Sequence, residues 1–106
     1  MIFYDFEVFK EDWLAVFIDV TKKKEYVIIN NPDELKALYE ANSKDIWVGY
    51  NNRHYDQYIM KGILLGMNPK RINDWIIVEK KEGWQFSSAF NKVPMINYDV
   101  MPNPPV

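Results

Sequence analysis

Along the first thirty residues the apolar positions fall into three short runs separated by charged links. Residues 2–9, IFYDFEVF, and 13–20, WLAVFIDV, are rich in aromatic and β-branched side chains and short enough for strands, and the polar KED between them serves as a tight connection. TKKK at 21–24 turns the chain into a third run, EYVIIN. In the middle run Leu14, Val16 and Ile18 alternate with Trp13, Ala15 and Phe17, so both sides are apolar and the strand is expected to be covered on both faces. Three antiparallel strands are thus predicted at the start of the chain.

The period then changes. In NNPDELKALYEAN, Asn31 suits a cap, Pro32 the first helical turn and Glu34 a capping box, while Leu35, Leu38 and Tyr39 form one apolar stripe; a helix over 32–41 follows. IWVGY at 46–50 is short and apolar throughout, as a buried strand reached by a parallel crossover would be. Tyr55, Tyr58, Ile59 and Ile63 recur at helical spacing, predicting a helix over about 54–65 closed by Gly66 in the left-handed conformation. Asn68 and Pro69 open a further helix. Residues 79–94 fit an irregular loop, an aromatic-bearing hairpin or a short strand pair, and 95–101, MINYDVM, a last strand. The closing PNPPV, with its three prolines, has the character of a linker or turn.

Composition narrows the class. One domain of 106 residues buries roughly two-thirds of its unfolded surface, and a chain that is 48% hydrophobic and 16% aromatic has ample material for one core. A net charge of −2 argues against a broad basic nucleic-acid surface, so a polyanion would need local Lys or Arg, or metal ions. The absence of Cys excludes disulfides and thiolate sites. Neither an apolar run of membrane-spanning length nor a signal-like N-terminus is present, which leads to the expectation of a cytoplasmic protein with no membrane partner.

Two acids interrupt the first run. On a strand, Asp5 and Glu7 project to the same side, close enough to share a cation, while Tyr4 and Phe6 point to the other. Their mutual repulsion is the argument for a divalent ion; an edge strand with both acids solvated explains them equally well. A second constellation is WVGYNNRHYDQYIM, in which Gly49 ends the apolar run, Asn51 and Asn52 form a turn and Asp56 falls in the first turn of the next helix. The helix N-terminus alone favours an acid there. If the first and fourth strands are neighbours, however, Asp56 can converge on Asp5 and Glu7 at the C-terminal end of a parallel strand, where open sheets bind ligands.

These residues carry a resemblance. YDFEV resembles the Asp-x-Glu first motif of the DEDD superfamily of 3′-to-5′ exonucleases, GYNNRHYDQYI resembles its second motif, and INYDVM is similar to the following strand in the exonuclease domains of replicative polymerases. The order and spacing agree over essentially the whole chain. The resemblance implies a ribonuclease H-like α/β fold, a mixed sheet of three antiparallel strands then parallel strands with flanking helices, in which the first and fourth strands are adjacent. It implies the N-terminal portion of a phage-type exonuclease or DNA polymerase proofreading domain, a hydrolase of DNA replication or processing acting on a single-stranded DNA 3′ end. It also implies two Mg²⁺ or Mn²⁺ ions, with Asp5 bridging both, Glu7 holding one and Asp56 the other; ions ~4 Å apart would activate water and stabilise the leaving oxygen. Asn51 or Asn52 would support the substrate, Asn51 being the better match to GYN, and Arg53 would contact phosphate. Tyr55 stands where the family has an aromatic packing residue, and Asp99 is a candidate supporting acid.

The family's third motif, with its fourth carboxylate and a Tyr or His, has no counterpart after Asp99, and His54 is better explained as an exposed loop residue. Residues 1–106 are therefore expected to be a single, truncated exonuclease domain with little activity by itself, open to homodimerisation through an exposed sheet edge. The alternative is a non-catalytic module of the same fold that contacts nucleic acid or protein. Trp84, Phe86 and Phe90 fit base stacking, though core filling explains them better, and Lys22, Lys23, Lys24, Lys80 and Lys81 fit solvated turns.

Overall fold

A computed structural model describes residues 1–49 and 54–99. Ile2–Val8 (β1), Trp13–Asp19 (β2) and Lys24–Ile29 (β3) form the antiparallel start that alternation predicts, each ending within a residue or so of the expected boundary. Pro32–Ala41 (α1) then carries the chain across to Ile46–Gly49 (β4), and Tyr55–Leu64 (α2) follows. Pro69–Asn73 (α3) runs into a widened π turn at Asp74–Val78, two 3₁₀ turns occupy Gly83–Gln85 and Ser88–Lys92, and Ile96–Asp99 (β5) completes the sheet.

The strand order is β3-β2-β1-β4-β5, with β1–β2 and β2–β3 antiparallel and β1–β4 and β4–β5 parallel. The expected adjacency of the first and fourth strands is present. In β1 the burial alternates strictly: Ile2, Tyr4 and Phe6 turn inward, Phe3, Asp5 and Glu7 outward. Inward rings interlock across three strands. Tyr4 stacks on Phe17 with ring centroids 6.4 Å apart, Phe6 meets Phe17 edge-on at 5.8 Å, and Trp47 meets Tyr4 edge-on at 5.7 Å. Such pairs add about 0.5–1.5 kcal/mol each beyond the area they bury.

Leu35 of α1, Ile59, Met60 and Ile63 of α2, and Ile72 of α3 are buried in the same cluster as these rings, which places the helices on the inner face. The expectation that β2 is covered on both sides therefore fails. Trp13, Ala15 and Phe17 are buried, but Leu14 and Val16 are only half-buried and Ile18 is exposed, because no described helix packs over them.

Local signals hold the helix ends in place. Asn31 Oδ1 accepts from Glu34 N at 3.1 Å, with the Asn31 amide donating to Glu34 Oε2, and Asn68 Oδ1 accepts from Lys70 N at 2.9 Å. Gly66 adopts φ +79°, a left-handed conformation costly for any residue with a Cβ, while Met67 N closes onto Gly62 O at 2.8 Å. Residues 79–94 take the irregular alternative, with two 3₁₀ turns in it, and neither the hairpin nor the strand pair forms. Phe86 stacks on Phe90 and meets Trp75 edge-on, so both phenylalanines fill space as core residues do, whereas Trp84 is exposed. The expected strand residues Tyr50, Val100 and Met101, and the terminal PNPPV, lie outside the described residues.

Candidate functional site

The site begins where β4 stops. Parallel pairing brings Ile2 opposite Trp47 and Tyr4 opposite Gly49, so β1 continues past the last pairing to β4 among the described residues. The backbone N–H of Phe6 needs an acceptor there, since an unpaired buried donor costs about 1–3 kcal/mol. Asp56 supplies it. From the first turn of α2 its Oδ1 accepts from Phe6 N at 2.9 Å, and the residue is 0% exposed. The amide hydrogen bond and the N-terminal end of α2 together compensate for dehydrating a carboxylate.

Phe6 is flanked in sequence by Asp5 and Glu7, which stand on the outer face opposite Val16 and Leu14. Although Asp5 as a whole reaches solvent, its carboxyl sits low enough to lose hydration. That loss first, and then the charge of Glu7, raise its pKa above the ordinary carboxylate value, against a lowering by the Phe6 amide. The same amide thus acts on Asp5 and is bonded to Asp56, which puts two acids of different elements around one backbone group. Glu7 is exposed, with its charge felt at Asp5. Among the described residues, no three His, Cys, Asp or Glu side chains are gathered closely enough to hold a metal ion.

Tyr55 lies next to this group and is tied into a chain of polar contacts that the sequence did not single out. Its hydroxyl donates to Asn73 Oδ1 at 2.6 Å, Asn73 Nδ2 donates to Asp74 Oδ1 at 3.1 Å, and Lys70 Nζ pairs with the same oxygen at 2.7 Å. Burial, then the charges of Asp56, Asp5 and Asp74, push the Tyr55 phenol strongly upward, so it stays protonated and donating. The i,i+4 spacing of Lys70 and Asp74 was a visible signal. What joins them to Tyr55 is the packing of α2 against α3.

Asn51, Asn52 and Arg53, expected to bind substrate, lie outside the described residues. His54 is exposed and begins α2 at φ 54°, with its Nδ1 3.5 Å from Gln57 Nε2. Asp99 ends β5 opposite Gly49, on the strand beyond the one that borders β1. Off the C-terminal end of β1 lies an open groove of about 560 Å³ whose lining includes Lys10 and Lys70 but also Glu11 and Asp12, a balanced charge and not a basic one. Lys22, Lys23 and Lys24 are exposed at the β2–β3 turn, and Lys81 lies over the Trp75 ring at 4.2 Å.

Compared with protein-family models, curated proteins and solved structures, the chain matches none of them. No helix among the described residues is long and apolar enough to cross a membrane. The class that the fold defines is an α/β domain with a five-stranded mixed sheet, the described helices packed on its inner face and the buried Asp56 bonded to the backbone of β1.

Proposed function

We propose that this chain is the N-terminal part of a ribonuclease H-like, metal-dependent 3′-to-5′ exonuclease domain acting on nucleic-acid phosphodiesters, DNA in the first instance. One observation carries the proposal: α2 delivers a fully buried carboxylate, Asp56, to the backbone of Phe6, the residue lying between Asp5 and Glu7. Coulomb repulsion between Asp5 and Glu7, with the raised pKa of Asp5, is the strain that a hard cation with oxygen ligands relieves. Asp5, Glu7 and Asp56 are the donors that would hold Mg²⁺ or Mn²⁺. When bound, such ions polarise phosphate and lower the pKa of water.

The chain's own residues supply the framework for this. Asp56 is fixed by the Phe6 amide and cannot swing away without leaving that donor unpaired. Tyr55 holds α2 to α3 through Asn73 and keeps its proton, adding no further negative charge to the acids. Asn51, Asn52 and Arg53 stand in sequence just before α2 and, in this reading, are the contacts to a strand end and its phosphate.

The test is a melting experiment with and without Mn²⁺ or Mg²⁺. The ions are expected to raise Tm, and Asp5→Ala or Asp56→Asn to abolish the rise. An unchanged Tm in the wild-type chain at millimolar Mn²⁺ overturns the proposal. It also favours the second reading, a non-catalytic module for nucleic-acid or protein contact, which is supported by the lack of a three-ligand cluster among the described residues.

A further inference from the structure

The outer face of the sheet is assembled from positions that the pairing register fixes. Phe3, Ile18 and Glu25 stand in one row with Val48 and Tyr98, Asp5 with Val16 and Val27 in the next, and Glu7 with Leu14 and Ile29 in the third. Ile18 is 46% exposed, Val27 52%, Ile29 60% and Tyr98 60%; Phe3 and Ile96 on the same face are exposed as well. Scattered apolar residues on a surface are ordinary, but a continuous apolar sheet face marks a surface meant to be covered. Its charged members are Asp5, Glu7 and Glu25, and none of the paired outward positions holds Lys or Arg.

We infer that this face docks an amphipathic helix of a partner whose apolar ridge is bordered by lysine or arginine. The ridge lies over Val16, Ile18 and Val27 and enters the depression of about 290 Å³ lined by Phe3, Asp5, Val16, Ile18 and Val48. Its basic residues fall to Asp5 and Glu7 on one side and Glu25 on the other. A sheet face and a helix stripe are complementary layers, and the inner face of this domain is already built that way. A second copy of the chain is the poorer occupant, because packing this face on itself sets acids against acids. The inference does not rest on the nuclease proposal and competes with it, since a docked basic helix would occupy Asp5 and Glu7, the acids assigned there to a cation. Millimolar Mn²⁺ that displaced the peptide would show that the two share those carboxylates.

Three synthetic peptides test it by fluorescence anisotropy against the intact chain: a Leu/Lys peptide patterned as an amphipathic helix, a shuffled peptide of the same composition, and a Leu/Glu peptide of the same pattern. The first is expected to bind at least about tenfold more tightly than either of the others. Val27→Glu with Ile29→Glu, at exposed positions that leave the fold intact by near-ultraviolet circular dichroism, is expected to remove most of that binding, and Glu25→Lys to weaken it. Equal binding of the shuffled peptide would show mere charge attraction and overturn the inference. Equal binding of the Leu/Glu peptide, no binding of any peptide, or a dimer in sedimentation that Val27→Glu dissociates would overturn it too.

Discussion

Along β1 the side chains Ile2, Tyr4 and Phe6 are closed to water, while Phe3, Asp5 and Glu7, interleaved with them, reach it. A single strand with a period of two thus serves a sealed aromatic core on one side and an acidic, apolar surface on the other. The inner face spends its residues on packing, with Asp19 and Asp56 its buried carboxylates among the described residues. On the outer face, apolar groups and acids stand exposed at a cost to solubility and to folding, a cost that the proposed docking would offset. The contrast teaches that packed and exposed side chains are separated here by the pleat and not by position along the chain.

The sharpest way to break this contrast is to cut back one apolar side chain on each face. Phe17 is 0% exposed and contacts Tyr4, Phe6 and Trp47, so Phe17→Ala is expected to cost about 3–5 kcal/mol, a large share of the stability of a small domain. Val27→Ser, on the outer face, is expected to change stability by less than about 0.5 kcal/mol. Urea denaturation of both variants measures the difference. Comparable losses would mean that the outer face is already packed in the folded chain.

Asp56 tests the margin where the two faces meet. Asp56→Ala removes the acceptor for Phe6 N and leaves a buried donor unpaired, an expected loss of about 2–3 kcal/mol. Asp56→Asn keeps an acceptor oxygen in place and is expected to cost roughly 1 kcal/mol, while still abolishing any response to Mn²⁺. If Asn costs as much as Ala, the charge itself and not the hydrogen bond holds α2 to β1. Hydrogen exchange at the Phe6 amide would report the same distinction locally.

Much of this architecture was legible before coordinates, and the reasons differ by element. The strands at the start followed from alternation and β-branched content, and α1 from Asn31, Pro32 and Glu34, because these signals are local and each has its own backbone chemistry. The placement of Asp56 near Asp5 was readable as a possibility, since a crossover through α1 can set the fourth strand beside the first. The open outer face was not. Leu14, Val16 and Ile18 spell a two-sided apolar strand whether the second layer is provided by this chain or by another, and periodicity cannot say which. The Tyr55–Asn73–Asp74–Lys70 chain was equally hidden, because it depends on α2 and α3 packing together. In residues 79–94 the glycine and the paired serines make turns, and Phe86 and Phe90 are drawn inward by Trp75 and Tyr58, a tertiary effect with no repeating pattern.

The smallest expected effect separates strain from attraction on the outer face. Asp5 has a folded-state pKa raised by lost hydration and by Glu7, so the folded chain holds that proton more tightly than the unfolded chain does. The sign follows: at neutral pH both states are ionised and the folded one bears the repulsion, while stability from this group grows as pH falls through the raised value toward the ordinary one. Asp5→Asn is therefore expected to raise stability at pH 7 by about 0.5 kcal/mol, allowing for solvent screening at a partly exposed site, or ~2–4 °C in Tm. The gain should fade at pH values below the ordinary carboxylate range, where the wild-type acid is itself neutral. Mn²⁺ should narrow it as well, by stabilising the wild-type chain and not the variant. Thermal melts at neutral and acidic pH, each with and without Mn²⁺, give the four values needed. A variant less stable than wild type at neutral pH would show that Asp5 is held by an attractive partner, and that the acids of β1 are settled without a cation.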